Sequence, residues 1–580
     1  MTDDNRNMIL AVVLSALVLL GWTFLSDRLL PTAAPQTVQI EDKAKPLPQT
    51  QVGPATAGPV VAGPATPSPT AQLTRAQALA QGPRVRIATP SLAGSINLTG
   101  ARIDDLVLLR QRTTIDKNSP PVRLLSPAGA PGGYFASFGW TGDGVAAPGP
   151  DTVWSASAPA LTPGKPVTLS WTNPAGVRFE QVIAVDDDYL FTVDQRVANA
   201  GSAPISVRPY GLVSRAQKSI DPSSWTNHVG PIGFLGGKAE YDVDWKTLDQ
   251  DSAGQSYDSR GGWLGLTDKS WLTALAPAPD AAIDASFRKA PGGAYQADYA
   301  MQLQVVAPGQ TASTQTRLFA GAKEKSAFDR YEAAGITKLS KSIDWGWFEW
   351  FMRPIFSLLT WLFHATGNFG VAIICLTLIV RGLMFPIAQK QFHSMAAMRK
   401  VQPKMKAIQE RWKDDKQKQQ SEILKLYQAE KINPAAGCLP IVVQIPVFYA
   451  LYKVLIVSVE MRHQPFALWI RDLSAPDPLT PVNLFGLLHF TPPAMLALGI
   501  LPILMGVTMW LQFKLNPAQM DPMQQQIFSF MPWVMMVVMA PFAAGLILYW
   551  TVSNILTILQ QWWLYRRFGL HLSDTHPITT

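Results

Sequence analysis

The chain has 580 residues, 48% of them apolar, with 49 Lys and Arg against 41 Asp and Glu for a net charge of +8. Its mean hydropathy is only slightly positive because a polar N-terminal half is averaged with an apolar C-terminal half, which excludes a single uniform domain. The only cysteines, Cys375 and Cys438, lie in the apolar half, so a disulfide framework for the polar half is excluded as well.

Residues 8–25 form an apolar run long enough to span a bilayer. They read as an uncleaved anchor within 1–29. A cleaved signal peptide is the rival reading, but the leading MTDDNRN is not basic and Asp27 and Arg28 follow the run directly. Residues 30–82 repeat Pro, Ala, Thr, Val and Gln, with Pro54, Pro59, Pro64, Pro67 and Pro69 close together. Such a stretch cannot bury a core and reads as an extended linker.

Residues 83–335 read as an all-β sandwich. Val85 and Ile87, then Ile96 and Leu98, alternate with polar neighbours, as do 167–171 and 189–197. Turn clusters at 173–176, 186–188 and 199–201 separate these runs, and the length predicts a large sandwich. Asp242, Asp244, Asp249 and Asp251 miss the spacing of a calcium loop and read as solvated loop residues. His228 is the only histidine of the domain, so no metal site and no acid–base pair is expected there.

Residues 342–365 crowd Trp345, Trp347, Phe348, Trp350 and Phe351 among Asp344, Glu349, Arg353 and Pro354. They read as an amphipathic helix in the membrane interface. A further span is the alternative, but Asn368 follows too soon for a loop between antiparallel helices. Residues 366–565 read as a five-helix membrane bundle with spans at 367–389, 435–459, 494–513, 527–540 and 545–563. The last two are short, and one kinked helix is their alternative. Residues 466–470, in the connection before the third span, are expected to touch the interface.

Within the bundle, 389–433 is a helical hairpin. Met395, Met398, Val401, Met405, Ile408 and Trp412 make one stripe, and Ile423, Leu426 and Tyr427 start a second. Its many basic residues, Lys400, Lys404, Arg411 and Lys413 among them, place it in the cytoplasm. Nucleic acid as a substrate is the rival reading of that charge, but no aromatic platform or glycine-rich motif supports it. The count is six spans, with both termini and the short tail 566–580 inside and the β domain outside.

Arg381 lies in the span 367–389, whose other residues from 369 to 387 are apolar or small apart from Thr377. An arginine at a helix centre costs about 3 kcal/mol on translocon scales and usually faces a bundle interior or a wet cavity. Snorkelling to the nearer interface is the bland alternative. No Asp or Glu in the spans offers Arg381 a partner. A proton or sodium carrier would show such carboxylates, so an unpaired cation here points to an acidic group arriving from elsewhere. No GxxxxGK[ST] sequence is present; neither enzymatic activity nor a cofactor is expected.

The C-terminal half resembles the YidC membrane protein insertase family in its Gram-negative form with a large periplasmic domain. The matching residues are Ile379-Val380-Arg381-Gly382, the run 433–440 (NPAAGCLP), Gln444-Ile445-Pro446, the run 465–470 (PFALWI), Asp521-Pro522-Met523-Gln524-Gln525 and the run 545–554 (GLILYWTVSN). The resemblance implies a bacterial inner-membrane protein that inserts and helps fold nascent membrane proteins, alone or with the Sec translocon. It implies a hydrophilic groove, open to cytoplasm and lipid, with Arg381 as its arginine and Thr377 one turn earlier. Gln444, Tyr549, Trp550 and Ser553 are the other expected groove residues; relatives often carry tyrosine where Trp550 stands. The β domain would resemble the sugar-mutarotase supersandwich without its catalysis. Ribosome contact, which many relatives make through a basic tail, would fall here to the hairpin. Two readings outside the resemblance remain: an anchored binding or chaperone module whose working part is the β domain, and a solute transporter, which the missing carboxylates and repeats disfavour.

Overall fold

The computed structural model describes residues 73–116, 118–221, 227–346, 348–413, 415–430, 439–485, 487–488, 498–515 and 522–567. The anchor expected at 8–25 and most of the linker lie outside the described residues. The end of the stretch read as linker is ordered. Thr74 and Gln77 close a capping box on α1 (Arg75–Leu79), and Arg75 pairs with Asp105 of the β domain.

The β domain is a sandwich of two sheets, eleven- and nine-stranded among the described residues. The spine of the first runs through Tyr295–Met301, Ile205–Arg215, Tyr134–Thr141, Arg102–Arg112, Leu92–Asn97 and Arg84–Ala88. That of the second runs through Trp263–Thr267, Trp271–Pro277, Thr311–Ala322, Leu190–Asn199 and Val177–Val185. The alternation read at 189–197 is the cause: Phe191, Val193 and Val197 point inward, in register with Val185, Ile183 and Phe179 of the neighbouring strand. Gln181 and Gln195 occupy inward positions too and face each other across the ladder. Their amides donate to Phe138 O and Gly139 O of the opposite sheet, each at 2.8 Å, and so stitch the layers together.

The acidic run is structural. Asp244 caps α2 (Trp245–Gln250), and Asp249 is held by Lys218, Lys289 and the Tyr295 hydroxyl. His228 is buried with Nε2 2.6 Å from Pro231 O, and burial lowers its pKa. Among the described residues no group of three His, Cys, Asp or Glu could hold a metal ion.

The sandwich hands over to the helices through α3 (Lys325–Ala333). Arg110 and Arg330 both bind Asp188, and the Tyr331 hydroxyl donates to Asp186 at 2.7 Å. Beside this junction Lys323 is wholly buried, its Nζ 3.2 Å from Thr267 Oγ1 and 3.4 Å from Ser342 O. Burial pushes its ammonium down to about 8 from 10.5. Between those values the unfolded chain binds more protons than the folded one, so this group's contribution to stability rises with pH there and is flat below. Thermal scans of the full chain in detergent are expected to show wild type gaining on Lys323→Met from pH 8 to 10.5, with a constant gap below pH 7.

Eight helices follow among the described residues: α4 (Glu349–Thr366), α5 (Phe369–Leu383), α6 (Phe385–Arg411), α7 (Lys416–Ala429), α8 (Leu439–Val457), α9 (Ile500–Leu515), α10 (Pro522–Met539) and α11 (Ala544–Arg567). The aromatic stretch 342–365 becomes α4, which starts only at Glu349. Gly367 ends it in the left-handed region at φ 70°, and Asn368 caps α5 at once, so α4 and α5 are packed neighbours.

The single span expected over 367–389 is broken. α5 stops at Leu383 and α6 starts at Phe385, with a bend of 54° between them. Pro386 is the reason. It lacks an N–H, and in a continuous helix its ring would meet the carbonyl four residues back; at the first turn of a new helix neither matters. No single helix among the described residues is long and apolar enough to cross a membrane alone, whereas the α5–α6 pair is so together. The hairpin is present as α6 and α7, α6 being 27 residues long. The last pair forms two helices, α10 and α11, with a break at residues 540–543.

Candidate functional site

α11 is the central helix and packs against α5, α8 and α9. Tyr549 and Ser553 are four residues apart on it and share a face. There the Ser553 hydroxyl accepts from Arg381 of α5, through Nε at 3.0 Å and through Nη2. One turn earlier Tyr549 Oη accepts from Gln444 Nε2 of α8 at 2.5 Å. Four residues from three stretches remote in sequence thus form a polar column among three apolar helices. Tyr549 and Ser553 are buried; Arg381 and Gln444 are half-buried.

Arg381 is a cation whose hydrogen-bond partner is a neutral hydroxyl, and among the described residues no carboxylate pairs with it. Lys453 on α8 shows the contrasting arrangement. It is buried, donates to Asp344 O at 2.7 Å and has Asp344 Oδ2 at 3.8 Å. The column also holds an orphaned acceptor, since Gln444 Oε1 is buried without a hydrogen-bond partner. A lost bond of that kind costs about 1–3 kcal/mol, so the position favours an arriving donor.

The other expected site residues divide. Thr377 is fully buried, and its hydroxyl donates to Ile373 O at 2.6 Å in its own helix rather than joining the column. Trp550 stacks edge-on against Phe448 of α8, with centroids 4.9 Å apart. On the hairpin, Lys404 bridges to Glu430 of the other arm at 2.7 Å, while Arg411 and Lys413 are exposed. Lys400 lies in α6, its side chain outside the described set. Sequence reasoning missed Lys453, whose one signal was a basic residue in an otherwise apolar run. It also missed what residues 466–470 do. Phe466 packs on Gly370 of α5, Trp469 donates to Asp477 and Ile470 is buried; Leu468 alone of the large side chains protrudes.

Outside the column the bundle turns apolar residues outward: Leu378 and Leu383 on α5, Val507 and Trp510 on α9, Phe530 and Val534 on α10, Ile555 and Leu559 on α11. An exposed apolar surface of that extent is uncharacteristic of a water-facing domain and fits a lipid-facing one.

Comparisons with known proteins converge on one family. The YidC periplasmic domain family matches residues 84–358, and the 60Kd inner membrane protein family matches 361–570. The membrane protein insertase YidC of Zymomonas mobilis is 46% identical, covering 97% of this chain and 96% of that one. Its counterpart in Rhizobium etli is 44% identical over 99% and 97%. A crystal structure of an active YidC insertase, with its first transmembrane domain resolved, superposes with a TM-score of 0.37 at 17% identity, over 87% of this chain and 95% of that one. By the identity and coverage of its relatives, the chain belongs to the YidC family of membrane protein insertases.

Proposed function

We propose that this chain inserts nascent proteins into the bacterial inner membrane, and that the Arg381 column is the polar lining of the groove they enter. The single observation that carries this is the charge at Arg381, half-buried among apolar helices and matched, among the described residues, only by a hydroxyl. A structural arginine in such a place would have a carboxylate beside it, as Lys453 has that of Asp344 at 3.8 Å. An arginine left with Ser553 is available to an acidic group brought in by a substrate, and water around it lowers the cost of desolvating that group.

The mechanism follows from the layout. The β domain lies in the periplasm and the α6–α7 hairpin in the cytoplasm, where Arg411 and Lys413 meet the ribosome or the emerging chain. The N-terminal tail of a weakly charged segment reaches Arg381 from the cytoplasmic side. The apolar segment then slides along the outward faces of α5 and α10 into lipid, gaining about 25 cal/mol per Å² of apolar area buried. Over some 20 residues that gain exceeds the cost of carrying a short tail across. No nucleotide is needed for that step. The chain works alone or beside the Sec translocon, with both termini in the cytoplasm.

The test is site-directed photocrosslinking. A probe at Leu378 or Gly382, flanking Arg381, is expected to capture a stalled nascent chain carrying one apolar segment. A probe at exposed Ile220 of the β domain is expected to capture none. Capture confined to Ile220 would transfer the working role to the β domain.

A further inference from the structure

α9 is short for a bilayer, and the residues before it are built to complete its apolar height. It runs from Ile500 to Leu515 and turns Leu504, Val507 and Leu511 outward on one face. Near its end the Lys514 ammonium sits 5.0 Å from the centroid of the exposed Trp510 ring, an aromatic–basic pair suited to the headgroup level. From Lys514 back to Ile500 is about 21 Å of helix, whereas the hydrocarbon core is about 30 Å thick. With Lys514 among the cytoplasmic headgroups, α9 therefore begins about 9 Å inside the opposite face of that core. Chain at that depth has to be uncharged, apolar on its outside and satisfied in its own backbone.

The preceding residues meet all three conditions. No Asp, Glu, Lys or Arg stands between Asp477 and Lys514. Val482, Leu484, Phe485, Leu487 and Leu488 are exposed, Leu487 the most at 77%. The backbone closes on itself. Leu484 N donates to Pro481 O (3.0 Å), Phe485 N to Thr480 O (2.9 Å), Leu487 N to Leu484 O (3.3 Å) and Leu488 N to Asn483 O (3.0 Å). Val482 N donates to Thr480 Oγ1 at 3.2 Å. Thr480 and Asn483 are themselves buried, so the polar side chains face in and the apolar ones out, the reverse of a water-facing loop. Leu484 and Phe485 hold φ of 51° and 57°. That left-handed conformation is unfavourable for bulky side chains and persists where the surroundings over-determine it. The knob is tied to the start of α9: Ile500 N donates to Leu479 O at 3.1 Å, and Leu501 N to Asp477 Oδ2 at 2.8 Å.

We propose that this knob of five apolar side chains is immersed in the periplasmic leaflet of the bilayer, where lipid acyl chains cover it. The proposal rests on the topology given above, which sets Lys514 at the cytoplasmic face. Lipid is the occupant because the apolar surface continues the outward face of α9, and no charge flanks it to orient a protein partner. The knob keeps the end of α9 below the headgroups without offering an unpaired backbone N–H of its own turn to hydrocarbon.

The test is a spin label on the full chain in liposomes of phosphatidylethanolamine and phosphatidylglycerol. With Cys375 and Cys438 changed to serine, Leu487→Cys carries the label, and its relaxation is read with oxygen, which concentrates in hydrocarbon, and with a neutral nickel chelate, which stays in water. Two controls set the scale: Leu559→Cys on the outward face of α11, and Ile220→Cys, 98% exposed on the β domain. The label at 487 is expected to show the oxygen-to-nickel ratio of the label at 559, severalfold above that at 220. Phe485→Cys repeats the measurement at a second position, and the melting temperature of each labelled sample is compared with that of the cysteine-free chain, so that one variant failing to fold leaves the other to decide. A ratio like that at 220 overturns the proposal, because the knob is then in water. A label at 487 closed to both reagents overturns it too, because protein then covers the knob, whether a second copy or another chain. The controls keep the two readings apart. Hydrocarbon at 559 with water at 487 refutes the knob alone, whereas water at 559 refutes the membrane bundle on which the insertase reading stands.

Discussion

Replacing Arg381 by alanine is expected to reduce insertion of substrates with acidic N-terminal tails by roughly ten- to a hundredfold, the loss of about 1.5–3 kcal/mol that a hydrogen bond to a charged group supplies. Substrates with neutral tails should lose far less, because their gain comes from apolar burial. Lysine at this position is expected to keep most of the activity. Both bonding nitrogens of Arg381 converge on one atom, Ser553 Oγ, so the guanidinium is not committed to a two-oxygen fork in the free protein. If lysine were as poor as alanine, the substrate would be recognised by bidentate geometry and not by charge. Raising the salt should weaken the acidic-tail preference only modestly, since a half-buried charge is poorly screened. The assay is protease protection of paired substrates that differ only in tail charge; equal losses for both would remove the electrostatic role.

The second large effect concerns the β domain. Gly321, in the strand Thr311–Ala322, lies under the ring of buried Tyr189, and a Cβ there would sit 2.2 Å from Tyr189 Cγ. Tyr189 has no easy way to yield. Its hydroxyl donates to Glu324 at 2.8 Å, and its backbone N–H donates to the Tyr331 hydroxyl. Gly321→Val is therefore expected to destabilise the sandwich by about 3 kcal/mol or more. That corresponds to a fall of roughly 6–12 °C in its melting temperature. Insertion should nevertheless persist, because Arg381, Gln444, Tyr549 and Ser553 all stand on bundle helices. Deleting 84–320 should give the same functional result, since it spares α3, whose Lys325 N–H binds Glu460 of the bundle at 2.8 Å. If insertion ceased while the bundle stayed folded, the β domain would be the working part.

The sandwich was legible because its strands obey a two-residue period: 189–197 reads and folds alike. What could not be read was pairing over distance. Gln181 and Gln195 look like lapses in the apolar face until the opposite sheet supplies their acceptors. Arg381 and Ser553 are 172 positions apart, and no local pattern joins them. The break at Met384 was available in Pro386, but apolar content outweighed a local steric rule. Lys453 was hidden in the same way, a charge overlooked inside an apolar run, although its partner Asp344 had been noticed for a different reason. Asp477 was invisible because Leu501 N of α9, which donates to its carboxylate, meets it only in the folded bundle.

Insertion by this mechanism requires that Arg381 meet water from the cytoplasmic side. With Cys375 and Cys438 changed to serine, Arg381→Cys can be exposed to a charged, membrane-impermeant thiol reagent. Inverted inner-membrane vesicles should label it, and right-side-out spheroplasts should leave it unlabelled. Failure to label from either side, or labelling from the periplasmic side alone, would contradict the account.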